Sequence, residues 1–263
     1  MAPAHTKTDS QVVRLVNADG SSPVVLVCEH ATSYIPETFD NLGLQPDDRQ
    51  SHAAWDPGAL AVAMRLSEGL NATLVASEIS RLVYDCNRPP EAADAMPERS
   101  ERIVVPGNMK LDEEARKERA RLYYEPFRDA VASAMQANSA PILITVHSFT
   151  PVYEGEKRSV EIGILHDSDT RLADAMLEAA INSDLDVQRN EPYGPQDGVT
   201  HTLKEHAIRT GHPNVMIEIR NDLIADEDSQ ALIANQLMAW LEAALPSVAQ
   251  HTGDQEGVIA CAG

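Results

Sequence analysis

Apolar residues along this chain fall into short dense runs separated by longer stretches with helical spacing, and that alternation predicts strands and helices in succession. Val24 to Cys28 form the first run, continuous and rich in β-branched residues, as expected of a strand covered on both faces. It stops at Glu29-His30, where an open α/β sheet places its ligand crevice. Further runs follow at 73–77 (TLVAS), 142–146, 160–166 (VEIGILH) and 213–224 (PNVMIEIRNDLI), with a short strand inside LDVQRN. Between them, Asp56-Pro57 opens a helix with Asp as N-cap and Pro at its first position; Leu60, Met64 and Leu66 mark its apolar side, and Gly69 and Asn71 end it. A longer helical pattern covers Leu111 to Ala137, with Leu122, Phe127, Val131 and Met135 on one side and Pro126 kinking or dividing it. Helices are also predicted after Asp167-Ser168-Asp169, from Thr200 to Arg209, and over EDSQALIANQLMAWLEAAL. Residues 31–50 read as a loop with at most a short helix, and 91–110 as a polar excursion of the kind that forms lids. No repeat or linker interrupts the series. The expected fold is a single three-layer α/β/α domain around a mixed, mostly parallel sheet, spanning 21–245 between a polar lead-in (1–20) and a tail (246–263).

With 263 residues, 43% of them hydrophobic, the chain can bury a sizeable core. It has no apolar run of about 18 residues to span a bilayer, and its opening MAPAHTKTDSQVVR lacks the apolar segment of a signal peptide. Three cysteines, Cys28, Cys86 and Cys261, match neither a disulfide framework nor zinc-finger spacing, so a cytoplasmic protein is expected. The formal charge of -20 sets a field that repels phosphate backbones and anionic membranes, which argues against both as partners. A small anionic substrate would need local arginines to reverse that background.

Such arginines stand in SRLVYDCNRPP, where Arg81 and Arg88 accompany Asp85 and Asn87 in a loop able to point guanidinium groups into a crevice; an internal Asp-Arg pair that only fixes the loop is the plainer alternative. His147 ends its strand as His30 ends the first. Two histidines at strand ends and a carboxylate from a helix start make the three-ligand set of a catalytic zinc site, and a glutamate on a further strand suits a general base. The candidates are His30, Asp56 and His147 as ligands and Glu218 as base, although their long separations mean that spacing alone does not join them. Asp56 has a simpler reading as a helix cap. A cysteine hydrolase built on Cys28 or Cys86 is the weaker rival, because a thiol inside an apolar run has a raised pKa and poor access.

The segments CEHATSYIP, AWDPGALAVA, SRLVYDCNRP, TVHSFTP and GVTHTLKEHAIRTGHPNVMIEIRNDLI, in that order over roughly 22–243, resemble the N-formylglutamate amidohydrolase family. The resemblance implies a three-layer fold related to zinc-dependent exopeptidases and one zinc ion. It also implies hydrolysis of the amide of an N-formyl or other N-acyl amino acid, with N-formyl-L-glutamate as the leading substrate. Carried over by position, it implies His30 and His147 as ligands, Glu218 as base, and Asp56 as the third ligand with Glu29 as competitor. For the substrate carboxylates, Arg81, Arg88 and Arg220 are the candidates, with Asn87 beside them and His201 as a hydrogen-bond donor to the tetrahedral oxyanion. The loop RLVYDCNRPPEAADAMP and the turn NEPYGPQDG resemble a side branch of the family rather than its histidine-degradation members. A zinc amidase acting on a larger acylated peptide and a non-catalytic binder of an acidic metabolite are the alternative functions.

Overall fold

The computed structural model describes residues 12–259. Val24–Cys28 (β2) is fully buried, and its alternate side chains enter opposite cores: Val24, Leu26 and Cys28 on one face, Val25 and Val27 on the other. That two-sided burial makes it central. Thr73–Ser77 (β3) and Ile142–Phe149 (β4) flank it, both parallel to it, and Asn214–Arg220 (β7) continues the parallel set beside β4. Ile162–Leu165 (β5) then joins β7 in the antiparallel sense and carries Val187–Arg189 (β6) parallel to itself.

The other edge is an antiparallel strand, Val13–Val16 (β1), so part of the expected lead-in is structure. The seven-stranded order is β1-β3-β2-β4-β7-β5-β6. Helices cover both faces, as the alternation predicted. On one side lie Ala59–Leu70 (α1), Arg171–Ala179 (α4) and Glu227–Ile259 (α6), and on the other Glu125–Gln136 (α3) with Tyr84, Tyr124 and Phe127. Among the described residues no helix is long and apolar enough to cross a membrane.

Four helix boundaries differ from expectation. The helix expected at Asp56-Pro57 begins at Ala59, after Gly58 turns the chain at φ +83°; a Cβ there would meet the Ile224 carbonyl oxygen at 2.5 Å. Asp56 is therefore not its cap. The long 111–137 pattern opens as Glu113–Arg119 (α2), capped by the Asp112 carboxylate accepting from the Ala115 amide. It widens into one π-helical turn over Ala120–Tyr124 just before Pro126, whose missing N–H the wider turn accommodates. The helix expected over Thr200–Arg209 is the shorter His201–His206 (α5). Past the expected tail boundary, α6 runs through Pro246 to Ile259, and 260–263 lie outside the described residues.

One glycine ties the far half of the sheet to the site. Gly163 on β5 pairs with Glu218 across the antiparallel ladder, and a Cβ on it would run into the carbonyl oxygen of Glu191, two residues before Tyr193. Gly163→Ala is expected to cost roughly 1–3 kcal/mol by overpacking, visible as a drop of several degrees in thermal midpoint; an unchanged midpoint would contradict this seating of the 188–193 segment.

Candidate active site

The carboxyl ends of β2, β4 and β7 are adjacent, and register does the rest. His147 lies within β4, which runs three residues beyond its expected end, and its cross-strand partner on β7 is Glu218. His30 follows β2 by two residues, and its carbonyl oxygen accepts the Asp56 amide, drawing the turn before α1 over the strand ends. His30, Asp56 and His147 are all buried and present one donor atom each to a shared point. His147 Nδ1 is 2.9 Å from Asp56 Oδ2 and 3.2 Å from His30 Nδ1, and His30 Nδ1 is 3.2 Å from the same Asp56 oxygen. These separations are close to the ~3.3 Å edge of a tetrahedron drawn around zinc with ligands at about 2.0–2.1 Å.

The outer nitrogens face carboxylates. His30 Nε2 lies 2.7 Å from Asp85 Oδ1, and His147 Nε2 lies 3.1 Å from Glu29 Oε2, an ion-pair distance whose angle does not make a hydrogen bond. Glu29 thus touches the cluster from behind His147, while Asp56 is the carboxylate inside it. Arg81 bridges Asp56 at 3.5 Å and Asp85 at 2.9 Å.

The electrostatics are severe for so buried a group. Burial favours neutral carboxyls, yet His30 and His147 pull the Asp56 pKa far down; against the same burial, His30 and Arg81 hold Asp85 well below the usual range, and His147 with His30 lowers Glu29. Three ionised carboxylates face one fixed guanidinium, leaving two negative charges in excess. Within the chain itself the histidines answer that excess: burial opposes their charging, but the facing carboxylates raise both pKa values, that of His147 strongly. Two imidazole nitrogens meeting one carboxylate oxygen, inside a surplus of two negative charges, form a donor set that fits a divalent cation. Glu218 differs from its neighbours: burial pushes its pKa up to about 7, and its Oε2 has no hydrogen-bond partner.

These groups floor a cavity of about 180 Å³, whose walls include Arg81, Arg88, Asn87, Tyr153 and Tyr193. Arg81 and Arg88 are therefore where the sequence suggested, although Arg81 also forms the internal pair with Asp85, and Arg88 is held by Asp94 at 2.6 Å. The Asn87 amide is committed to structure, donating to the Val199 carbonyl and accepting from the Thr202 amide and hydroxyl. Two expectations fail. Arg220 does not line the cavity: Glu161, Asp222 and the carbonyls of 158–160 take its guanidinium. His201 lies tilted against Tyr124 with Nε2 2.8 Å from its hydroxyl, in a neighbouring groove. Cys28 and Cys86 are poorly placed as nucleophiles, being buried, and burial first, with nearby carboxylates second, pushes both thiols up; Cys261 lies outside the described residues.

Asp85 and Tyr193 are the site residues that sequence reasoning passed over. Asp85 stood in plain view between Arg81 and Arg88. Nothing in NEPYGPQDG marked Tyr193, and no pattern could join His52 to Glu101, whose side chains meet at 2.5 Å at the cavity rim.

The fold matches solved structures over nearly its whole length. A gene product from Agrobacterium tumefaciens, Atu2144, is 55% identical with a TM-score of 0.89, covering 90% of this chain and 96% of that one. An N-formylglutamate amidohydrolase from Ralstonia eutropha JMP134 is 19% identical with a TM-score of 0.59, covering 90% and 98%. No curated protein matches the sequence significantly. The family model described as N-formylglutamate amidohydrolase matches residues 22–225, which carry every donor of the buried cluster. The chain belongs to the N-formylglutamate amidohydrolase family.

Proposed function

We propose that this protein is a zinc-dependent amidohydrolase that cleaves a small N-acyl amino acid, with N-formyl-L-glutamate, giving formate and L-glutamate, as the leading substrate. One observation carries the reading: the donor atoms of His30, Asp56 and His147 converge beside the unpartnered Glu218 carboxyl, on the floor of a cavity that also exposes arginine. Family membership supports the reaction class. The residues that would hold the ion are His30, Asp56 and His147. Bound there, zinc supplies Lewis-acid activation of the acyl carbonyl and of water.

The chain's own groups do the rest. Glu218, ionised, takes the proton of the attacking water and passes it to the amine nitrogen as the C–N bond breaks. Burial raises the Glu218 pKa toward neutrality, the direction that suits a group which first accepts and then returns a proton. Arg81 and Arg88 orient the substrate carboxylate from the wall. Asp85, 2.7 Å from His30 Nε2, fixes that ring so that Nδ1 faces the shared point, a positioning role.

Glu218→Gln is expected to lower formate release from N-formyl-L-glutamate by roughly 10²–10⁴-fold, while metal content and thermal midpoint stay at the parent values. Retained turnover in that variant would overturn the assignment of the base. Stripping with a chelator should abolish release and stoichiometric zinc should restore it; activity indifferent to both treatments would refute metal dependence. Asp85→Asn should weaken zinc binding, read by competition with a chromophoric chelator, by roughly 10–100-fold; unchanged affinity would remove Asp85 from the support of His30.

A further inference from the structure

Arg158 stands apart from the other arginines at this site. Arg81 and Arg88 are each paired with aspartates, and Arg220 with Glu161 and Asp222. Arg158 has no acidic partner among the described residues; its guanidinium donates one hydrogen bond, from Nη1 to the Tyr193 hydroxyl at 2.9 Å. Three aromatic rings hold it: Tyr153 at 4.5 Å, Tyr193 at 4.8 Å and Phe149 at 5.6 Å from centroid to guanidinium carbon. All three rings line the cavity that contains Glu218.

The backbone fixes this placement. Arg158 closes a hairpin whose strands are Val152–Tyr153 and Glu156–Lys157, turned through Glu154 and Gly155 at positive φ, and its amide donates to the Pro151 carbonyl. Arg220 clamps the return of that hairpin through the carbonyls of 158, 159 and 160. The arginine expected to bind substrate thus holds in place another that can. A half-buried cation whose charge no acid offsets, in a chain of net charge -20, is suited to receive an anion, and it sits against three rings of the cavity lining without itself forming the floor or wall. Aromatic faces confine the planar fork without satisfying its in-plane donors, of which only the one given to the Tyr193 hydroxyl has a partner, leaving the others for a planar carboxylate.

We propose that Arg158, steadied by Tyr193, is the specificity-determining residue of this site and pairs with a second carboxylate of the substrate, so that acyl amino acids with an acidic side chain are preferred over neutral ones. This rests on the amidohydrolase reading for the identity of the ligand, but not for the test.

Binding is measured by calorimetry in the zinc-loaded Glu218→Gln background, where turnover is suppressed, with N-formyl-L-glutamate and its near-isostere N-formyl-L-glutamine. Without the Arg158 substitution, the glutamate ligand should bind at least tenfold more tightly than the glutamine ligand. Adding Arg158→Met should weaken the glutamate ligand by roughly 10–100-fold, the range of a lost charge-assisted pair, and leave the glutamine ligand within about twofold, while Arg158→Lys recovers part of the preference. Equal weakening of both ligands would mean that Arg158 only props the hairpin, and would overturn the proposal. So would failure of the glutamate ligand to bind, or a preference that survives Arg158→Met. If the Arg158-dependent preference is found but the unsubstituted enzyme releases no formate, the receptor stands and the amidohydrolase reading falls.

Discussion

Everything at this site depends on burying more negative charge than its one paired guanidinium can offset. Asp56, Asp85 and Glu29 are held ionised out of contact with water, against a single guanidinium from Arg81. Buried charges are tolerated only when paired or when they coordinate an ion. The two histidines compensate by drawing protons, and a dication at their shared point would do so without them. Binding of an ion there would therefore be linked to proton release from His30 and His147.

Parallel strands make that concentration of charge structurally tolerable. β2, β4 and β7 bury both faces in apolar cores, their titratable side chains gather toward the carboxyl ends, and there the register sets His147 beside Glu218. The same burial that raises Glu218 toward neutrality leaves its Oε2 unpartnered. Around this rigid floor the walls come from loops and short hairpins, which carry Arg88, Tyr153 and Tyr193.

The central strands and both histidines were legible in the sequence because a continuous β-branched run that stops at a charged or imidazole side chain marks a buried strand ending at a crevice. Asp56 was only half legible: its Asp-Pro pair reads as a helix start, and it took Gly58 at positive φ to free the carboxylate for the cluster. Arg220 misled because period-two alternation tells which face of a strand a residue shares, here with Glu218, but not how far along that face the cavity extends. Arg158 and Tyr193 were invisible for the opposite reason. Both belong to irregular segments whose meeting is decided by long-range packing, the 150–160 hairpin against the 188–193 return. β1 was missed as well, since four residues in a polar stretch give too little pattern to be read as an edge strand.

X-ray absorption at the zinc edge of the reconstituted protein tests the account most directly, because it reads the ligands rather than the activity. One ion per chain in a nitrogen and oxygen shell, with two imidazoles and no sulfur, is the expected spectrum, and it should lose one imidazole in His30→Ala and in His147→Ala. Sulfur scattering from Cys28 or Cys86, or a spectrum indifferent to both histidine substitutions, would contradict it.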